Sequence, residues 1–534
     1  MKDNVEKFSL FRSVMTKLLV CLLSFFCFLS CRSQNQPSYS FPKREFRAVW
    51  IATVDNIDWP TRGNYDAQVQ KQEFINILDS HQKTGINALF VQVRPASDAF
   101  FAKNTEPWSE WLTGKQGKAP DDPTYDPMEF MIQEAHQRGF EFHAWLNLNR
   151  AVHKSARSVS EQNISKLHPE WILTYDGQKL LNFGIPEVRQ YITEVVVNMV
   201  KNYDVDGIHF DDYFYPYTVN GQVLRDTDTF KNYPNGFADI ESWRRNNTDV
   251  LIKQISEAIK ATKPYVKFGI SPFGVWRNKK DDPTGSETSA GQTSYDNLYA
   301  DTRKWAKEGW IDYIAPQVYF SRNFRLIPYK SLVSWWTQYA YSRHLYIGQA
   351  AYRASGNDRD SGWHNANELP SQVRYNRQQP QIQGSIFFSS KSITNNPRGV
   401  RDSLRADLYR FPALIPTMPW KDNVPPMSPQ NLTYETNSNG TVSLYWHAPE
   451  KAPDGDTAHY YVVYRFEKGE TADLSLPQHI LGMCRDVQFL DTTPLPDKKY
   501  FYMVTAVDRL HNESMASKDV KVRTPQLSTS AVSK

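Results

Sequence analysis

Two adjacent carboxylates, Asp211 and Asp212, follow a short apolar run in the stretch DGIHFDDYFYP, residues 206–216. An ionised carboxylate beside a buried strand is costly unless a basic group pairs with it or a reaction uses it. The stretch is therefore either a local salt-bridge site or a reactive one. Side chains alternate faces along a strand, so Asp211 would share the inner face with His209 and Tyr213. Asp212 then lies at the strand exit, and it either faces a cleft or meets a basic neighbour.

Polar and aromatic side chains with the same inward parity occur near the ends of other strand-like runs. They are Arg94 with Asp98 just beyond it, His143, Trp145, Asn147, Asn149, Gln317 and Tyr319. If these runs are parallel strands of one sheet, their carboxyl ends meet at one edge and the side chains converge there. For each single residue the alternative is that it satisfies a polar neighbour within a core layer.

The types of these residues suit cleavage of a glycosidic bond. The sequence contains no HExxH, CxxC, Walker-type, GxGxxG or nucleophile-elbow motif, so metal, nucleotide and serine-hydrolase chemistry lack support and no cofactor is expected. In glycoside cleavage one acid protonates the leaving oxygen, and a carboxylate stabilises or attacks the oxocarbenium-like centre. Amides and an arginine would hold hydroxyl groups. The rings expected to floor the sugar subsites are Trp59, Trp145, Tyr215 and Trp276. Retention and inversion stay open, because sequence does not show the distance between the carboxyl groups.

Strand-like and helical patterns alternate in the part of the chain that must position these residues. The predicted strands are residues 46–53, 86–94, 140–149, 206–213, 267–276, 311–320, 345–353 and 384–392. Helical apolar spacing lies between them, as in KQEFINILDSHQKTG and PEVRQYITEVVVNMVKNYD. Eight such units predict an α/β fold, a closed (β/α)₈ TIM barrel over residues 45–414, with a doubly wound open sheet as the alternative.

The lengths of the connections indicate which end of the barrel is elaborated. Helix-to-strand joints are short, whereas long strand-to-helix joints span residues 95–127, 150–185, 214–240 and 277–294. Active sites of such barrels are built from the loops that follow the strands. The long joints therefore indicate a site at the carboxyl-terminal end.

A second, all-β part follows the barrel. Residues 415–426 are rich in proline and aperiodic, which predicts an exposed linker. Short alternating runs over residues 427–525 predict about seven strands of a β-sandwich with Trp446 inward, followed by a tail at 526–534. The stretch YWHAPE to YFYMVTAVDRLHNES resembles a fibronectin type III domain, and such modules space or dock other domains. Carbohydrate binding is the alternative role.

The amino terminus has the layout of a secretion signal over residues 1–30, with four basic residues before the apolar run LLVCLLSFFCFLS. It ends in FLSC, which resembles the lipobox of bacterial lipoproteins. The resemblance implies acylation of Cys31 and membrane attachment through a tether at 31–44. A plain signal peptide or an uncleaved anchor is the alternative. The stretch after Cys31 lacks the acidic residues that resemble a surface-export signal, so a periplasm-facing anchor is favoured. Only Cys31 and Cys484 remain after cleavage, and they provide no disulfide framework.

Composition excludes some partners and favours others. The 534 residues include 62 Lys and Arg against 58 Asp and Glu, and a net charge of +4 gives no argument for a nucleic-acid partner. The 15 Trp, 29 Tyr and 29 Phe residues are numerous, and exposed rings stack on sugars, although core packing explains most of them. A polysaccharide is the expected partner, and the oligomeric state stays open.

Several long motifs carry a family resemblance. FRAVWIATVDNIDWP, LFVQVRPASDAFF and VDGIHFDDYFYPY are similar to the bacterial glycosyl-hydrolase-like family ten lipoproteins, and the likeness extends over about residues 45–415. It implies a (β/α)₈ barrel and hydrolysis of envelope glycan, and some members are implicated in cutting peptidoglycan strands stripped of their peptides. The strand-four motif of the family falls on Asp206, His209, Asp211 and Asp212.

The fourth strand is also similar to that of the family eighteen chitinases, which carries a D-x-x-D-x-D-x-E pattern. Here His209 replaces the second acid and Tyr213 replaces the terminal glutamate. The proton donor therefore stays open between Asp212 and the loop carboxylates, which are Asp98, Glu106 and Asp228.

The resulting hypothesis is a lipid-anchored envelope glycoside hydrolase whose catalytic residues are Asp211 and Asp212, with peptidoglycan glycan as the favoured polysaccharide. The rival hypothesis is a binding or scaffolding protein that kept the barrel and lost catalysis. Turnover of a glycan separates the two.

Overall fold

The computed structural model describes residues 41–525. The predicted signal peptide, Cys31, most of the tether and the tail at 526–534 lie outside these residues. No helix within the described part of the chain is long and apolar enough to cross a membrane.

Eight parallel strands close into a barrel, which confirms the (β/α)₈ architecture and excludes the open sheet. The barrel strands are β1 (Phe46–Ile51), β2 (Ala88–Arg94), β3 (Glu141–Leu146), β7 (Gly207–Phe210), β8 (Lys267–Ile270), β9 (Tyr313–Ile314), β10 (His344–Gln349) and β11 (Ile382–Phe387), and β11 pairs with β1 to complete the circle. The sheet β4 (Arg150–Val152), β5 (Ile172–Tyr175) and β6 (Gln178–Leu181) lies in the long joint after β3 and was not predicted.

All barrel strands except β2, which ends at Arg94 as predicted, end earlier than predicted. β7 ends at Phe210 and β9 at Ile314, where the sequence suggested 213 and 320. Beyond these ends the chain pairs only through isolated bridges, such as Gln317 with Phe273 and Gly348. The residues just past these strand ends are therefore not held in the regular sheet. Their side chains can turn toward the carboxyl-terminal end of the barrel, here called the mouth.

Helices follow the strands and cover the barrel. Their bounds are Ala67–Thr84, Glu110–Thr113, Pro127–Gln137, Ile164–Leu167, Pro186–Asn202, Thr227–Asn232, Ile240–Thr262, Thr302–Lys307, Tyr329–Tyr339, Glu368–Arg377, Ser390–Thr394 and Val400–Ser403. Aspartates cap several of them: the carboxylates of Asp66, Asp126 and Asp239 each accept a hydrogen bond from a backbone N–H of the first turn. The first helix ends at Thr84 and is followed by Gly85, whose φ of 89° lies in the left-handed region that favours glycine.

The barrel interior is filled by aromatic side chains. Phe46 stacks on Tyr346 with ring centroids 4.0 Å apart, and Phe90 stacks on His143 at 4.5 Å. Ile415 and Met418 belong to the same buried cluster and lie at the amino-terminal end of the strands, here called the floor. Met418 has no exposed surface.

The prediction of an exposed linker at 415–426 is wrong for the first part of the segment, where Ile415 and Met418 are buried, whereas Trp420 is 36% exposed. The segment closes the floor: the indole of Trp420 and the ammonium of Lys421 both donate to Asp312, each at 3.0 Å. An exposed linker and a buried plug share the same proline-rich, aperiodic sequence pattern, so the pattern did not distinguish them.

The C-terminal part is an antiparallel sandwich of two sheets. One contains β12 (Gln430–Thr436), β13 (Val442–His447) and β16 (Gln488–Asp491), and the other contains β14 (Tyr460–Glu467), β15 (Ile480–Cys484), β17 (Lys499–Val507) and β18 (Val520–Arg523). Trp446 is 3% exposed and packs against Tyr461, as predicted. The number of strands is as predicted, although the run that forms β15 had not been singled out.

Candidate active site

Asp211 lies just past the end of β7, at the mouth of the barrel. Its carboxylate accepts hydrogen bonds from the indole Nε1 of Trp145 and the amide Nδ2 of Asn147, both at 3.1 Å. Both donors come from β3 or the residues just after it, which the parallel register places beside β7. Asp211 is 6% exposed. Neutral donors therefore hold a buried carboxylate in one orientation.

Asp212 is also buried, and its carboxylate accepts a hydrogen bond from the hydroxyl of Tyr217. Gln317 lowers the pKa of Asp212 through a hydrogen bond and also donates to the carbonyl of Ser271 at 3.0 Å. Within residues 41–525 neither aspartate forms an ion pair. The salt-bridge interpretation is therefore wrong for Asp211 and Asp212, although Asp206, at the start of the same stretch, is paired with His136 at 2.7 Å.

Burial dominates the acidity of both groups. It raises the pKa of Asp211 to about 6, with the charge of Arg150 opposing the shift and that of Asp212 adding to it. Burial also raises the pKa of Asp212, against the hydrogen bonds from Tyr217 and Gln317. Two neighbouring carboxyl groups whose pKa values are both raised by burial have the proton affinities that acid–base catalysis uses.

Arg150, at the start of β4, is a residue that the sequence analysis missed. It is 6% exposed, and its guanidinium lies 4.2 Å from the ring centroid of Tyr213. Its Nε has no hydrogen-bond partner, and among the described residues its side chain forms no ion pair. It follows the run of inward polar residues in LNLNR, but it lies four residues past the end of β3 at Leu146, where strand parity no longer indicates the direction of a side chain.

Arg94 supports the site from behind. Its guanidinium contacts both carboxylate oxygens of Glu106, at 2.7 and 2.6 Å, and donates to the carbonyl of Asn147 at 2.6 Å. Arg94 is 1% exposed, so the prediction that it contacts substrate is corrected: it positions Asn147. The predicted convergence of Arg94, Asn147, Asp211 and Gln317 at the mouth is confirmed by these contacts.

The loop carboxylates differ in their suitability as proton donors. Glu106 is paired with Arg94 and also accepts from the hydroxyl of Tyr191 at 2.5 Å. Asp228 is almost fully exposed and lies 3.0 Å from Lys231 on the same short helix. Asp98 has no exposed surface and accepts from the amide of Gln116 at 3.3 Å, and burial raises its pKa to about 7. Asp212 is next to Asp211 in the chain, and it is the one among these four candidates whose charge acts on the pKa of Asp211.

The two histidines predicted to bind substrate lie one layer deeper. His143 and His209 have no exposed surface, and both contact the hydroxyl of Tyr313, at 3.1 and 3.2 Å. Burial lowers the pKa of His209 well below its usual value. Both face the interior as predicted, but full burial prevents contact with a substrate, and they serve as packing beneath the site.

Four other predicted contacts are also corrected, because each side chain packs within the protein. Trp59 packs against Phe74, Tyr215 against Phe183, and Trp276 stacks on Trp335. The amide of Asn149 donates to the carbonyl of Phe214 at 3.1 Å. All four follow a strand end or lie in a loop, where strand alternation no longer indicates direction.

A rim of rings surrounds the mouth instead, all of them half-buried except the exposed Tyr352. Tyr213 and Tyr319 were predicted, and Tyr217, Phe273, Tyr352 and Phe388 were not. Neighbouring rings are in contact: the centroid distance is 5.7 Å for Tyr213 and Tyr217, and 6.0 Å for Tyr319 and Tyr352. The missed rings come from loops after four different strands, and no local pattern in the sequence links them.

The described residues contain one group of carboxylates close enough to hold a metal ion, namely Asp422, Asp454 and Asp456. It lies on the segment after the barrel and in the sandwich. No such group of three is found at the mouth within residues 41–525.

A closed parallel barrel with a buried carboxylate pair and an aromatic rim at its mouth defines a glycoside hydrolase-like protein. The model of the family "Glycosyl hydrolase-like 10" matches residues 45–365, and the chain belongs to this family. Glycosyl hydrolase YngK of Bacillus subtilis (strain 168) is 48% identical over 480 residues, which cover 89% of this chain and 93% of that protein.

Glycosyl hydrolase DigH of Escherichia coli (strain K12) is 38% identical over 417 residues, covering 71% of this chain and 93% of that protein. Among solved structures, the glycoside hydrolase domain of PgaB (BpsB) from Bordetella bronchiseptica is similar with a TM-score of 0.44 and 14% identity, over 68% of this chain and 99% of that one. A likeness this distant adds nothing to the assignment.

Proposed function

We propose that this protein is an envelope glycoside hydrolase that cleaves peptidoglycan glycan strands by carboxylate acid–base chemistry. The observation that carries the proposal is the pair Asp211 and Asp212, two buried carboxyl groups at the mouth that neutral donors hold and no cation neutralises by direct contact. Such a pair is costly to the fold unless it is used.

The contacts support a division of roles within the pair. Hydrogen bonds from Trp145 and Asn147 favour the ionised form of Asp211, which suits a carboxylate that bears on the anomeric centre. Burial raises the pKa of Asp212 despite the hydrogen bond that its carboxylate accepts from the hydroxyl of Tyr217, and a carboxyl group with a raised pKa suits a group that gives a proton to the leaving oxygen. This assignment prefers Asp212 over the loop carboxylates.

Arg150 supports an acidic glycan as the substrate. A buried guanidinium without an ion pair favours an anion, and the rim of rings around it favours sugar faces. Peptidoglycan strands freed of their peptides offer both, because each muramic acid unit then carries a free carboxylate. The same strands with peptides attached have no free carboxylate at that position.

The proposal is tested by incubating the protein with peptide-free peptidoglycan strands and analysing the products by mass spectrometry. We expect shortened glycan fragments with wild-type protein and none with Asp211→Asn, although Asp211→Asn should still bind the strands. Binding without turnover by the wild-type protein would instead favour the rival function, a glycan-binding or scaffolding protein that has lost catalysis.

We also propose that the chain is lipid-anchored through Cys31 and faces the periplasm. The lipobox-like FLSC and the preceding apolar run support this proposal. Three acyl chains hold a protein on a membrane far more firmly than one, so attachment should resist high salt. Cys31→Ser should move the protein from the membrane fraction to the soluble fraction, and unchanged fractionation would refute the anchor.

A further inference from the structure

A cavity of about 530 Å³ lies at the floor of the barrel, at the opposite end of the strands from Asp211. It is bounded by the chain just before β2, by the start of β3, by residues 405–415 and by the sandwich strand β15. Its volume is that of pockets that hold small organic ligands. The glycoside hydrolase mechanism uses no part of it.

Charge in the cavity wall is strongly unbalanced. Six lining residues are Lys or Arg and two are acidic, namely Glu141 and Asp206. Both acids are already paired, Glu141 with Lys267 and Asp206 with His136 at 2.7 Å. Among the described residues, Lys83, Arg405 and Arg485 form no ion pair. By contrast, Arg509 is paired with Asp204 at 2.5 Å and with Asp206 at 3.5 Å, and Arg138 is also paired with acidic residues. The wall therefore offers positive charge without an acidic partner at Lys83, Arg405 and Arg485, which are exposed residues.

Hydrogen-bond donors at the cavity are also unsatisfied. The hydroxyl of Tyr409 has no hydrogen-bond partner although this residue is only 4% exposed, and the Nε of Arg509 is likewise buried without one. A buried polar group without a partner is costly, so each such group indicates a missing partner. Both groups can donate a hydrogen bond, which indicates a ligand that carries hydrogen-bond acceptors.

Apolar side chains complete the wall. Ile86, Phe140, Leu414 and Met483 line the same space. A bare inorganic ion would leave this apolar surface uncovered, whereas an organic body would cover it.

We propose that this cavity binds a sugar-sized organic anion, with a carboxylate or phosphate directed at Arg485, Arg509 and Tyr409 and its body against the apolar wall. The site is separate from the mouth, and the proposal does not depend on the proposed hydrolase function.

The test is isothermal titration calorimetry of the purified protein at low ionic strength. The probes are N-acetylmuramic acid for the carboxylate, N-acetylglucosamine 6-phosphate for the phosphate, and neutral N-acetylglucosamine as the matched control. Inorganic phosphate shows how much of the affinity the anion alone supplies. We expect at least one anionic sugar to bind and the neutral sugar to bind at least about tenfold more weakly, because hydrogen bonds to charged groups are worth about a factor of ten or more.

Variants locate the binding site. Arg485→Glu should weaken binding at least about tenfold and Tyr409→Phe several-fold, since the first reverses a charge and the second removes one hydrogen bond while keeping the ring. Arg325→Glu makes the same charge reversal at an exposed arginine outside the cavity and should change nothing. Arg150→Gln removes any binding of N-acetylmuramic acid at the mouth and should leave the component of binding that Arg485→Glu weakens, which separates the cavity from the mouth.

Three outcomes would overturn the proposal. They are equal binding of the neutral sugar, no binding of either anionic sugar, and dissociation constants that Arg485→Glu and Tyr409→Phe leave unchanged. Circular dichroism of the two variants establishes that they are folded, and Tyr409→Phe tests the site even if the charge reversal destabilises the protein.

Discussion

Buried acids at the two ends of the barrel have different partners, namely cations at the floor and neutral donors at the mouth. At the floor, Glu141 is in contact with Lys267 and lies 2.6 Å from His511, and Asp312 lies 3.0 Å from Lys421. At the mouth, Asp211 and Asp212 accept only from neutral donors. The consequence appears in their acidities: neighbouring cations lower the pKa of Glu141 well below its usual range, whereas burial raises the pKa of Asp211 to about 6. Buried acids at the floor are neutralised by ion pairs, and those at the mouth lack an ion pair, as the proposed reaction requires.

The largest expected effect comes from removing the floor partners altogether. Truncation after Pro419 deletes Trp420, Lys421 and His511, which leaves Asp312 buried without its cation and exposes Leu414, now packed in a cluster with sandwich residues. We expect the free energy of unfolding to fall by several kcal/mol, and soluble yield and thermal unfolding measure it. The sequence alone had suggested that this fragment would fold independently.

Truncation after Pro525 is the matched control for that experiment. It removes only the predicted tail and should leave the melting temperature unchanged. If a fragment ending at Pro419 has the melting temperature of the full chain, the floor contacts are dispensable for stability. The expectation that the ion pairs of the buried acids at the floor stabilise the fold would then be wrong.

At the mouth, Asp211→Asn should lower kcat by roughly three decades, about 4 kcal/mol, because the charge acts chiefly in the transition state. The melting temperature at pH 7 should stay the same or rise, since the substitution removes a buried, unpaired charge. Kinetics on the glycan and thermal unfolding of the same sample measure both. Asp228→Asn, at an exposed loop acid, is the control and should keep near wild-type activity. Full activity in Asp211→Asn would leave the proposed mechanism without its central residue.

At the floor, Glu141→Gln should have the opposite pattern of effects, a loss of stability without a loss of activity. It leaves Lys267 buried without a carboxylate, so the free energy of unfolding should fall by about 3 kcal/mol at pH 7 while kcat of the folded enzyme stays unchanged. The pKa of Glu141 is lowered on folding, so its contribution is present above the usual value of 4.5 and is lost as the pH falls further.

Chemical denaturation across this pH range is the measurement for Glu141→Gln. Wild type and variant should converge in acid. A stability difference that does not depend on pH would mean that the ion pair is not its source.

The smallest effect concerns the pH profile. If Asp211 acts as a carboxylate with a pKa of about 6, kcat should fall as the pH drops below about 6. The charge of Arg150 lowers this pKa, so Arg150→Gln should move the acid limb upward by roughly one unit. Arg150→Lys keeps the charge and should leave the limb near its wild-type position. An acid limb that is the same in all three proteins would exclude Arg150 as the group that tunes Asp211.

Strand periodicity explains what could be predicted from the sequence. It located all eight barrel strands in order and the inward face of β3 and β7, so Trp145, Asn147 and Asp211 were correctly grouped. Periodicity indicates a face but not a depth, and therefore His209 was assigned to the site although it lies beneath it.

Past the strand ends, direction depends on loop packing, which local patterns do not encode. Arg150, Tyr217 and Tyr352 were missed for this reason, and Trp276 was misplaced. The floor was missed for a different reason: each half of its ion pairs is unremarkable in the sequence, and Glu141 and His511 are separated by 370 positions.

The buried segment around Met418 also bears on how the chain reaches its native state during synthesis. A ribosome releases residues 45–414 first, and at that stage the inner end of the barrel lacks the side chains of Ile415 and Met418 that later fill it. The strands can pair before then, but the last layer of packing waits for residues that belong to neither the barrel helices nor the sandwich strands. Stable closure of the barrel and docking of the sandwich are therefore expected to occur as one late event rather than as two successive ones.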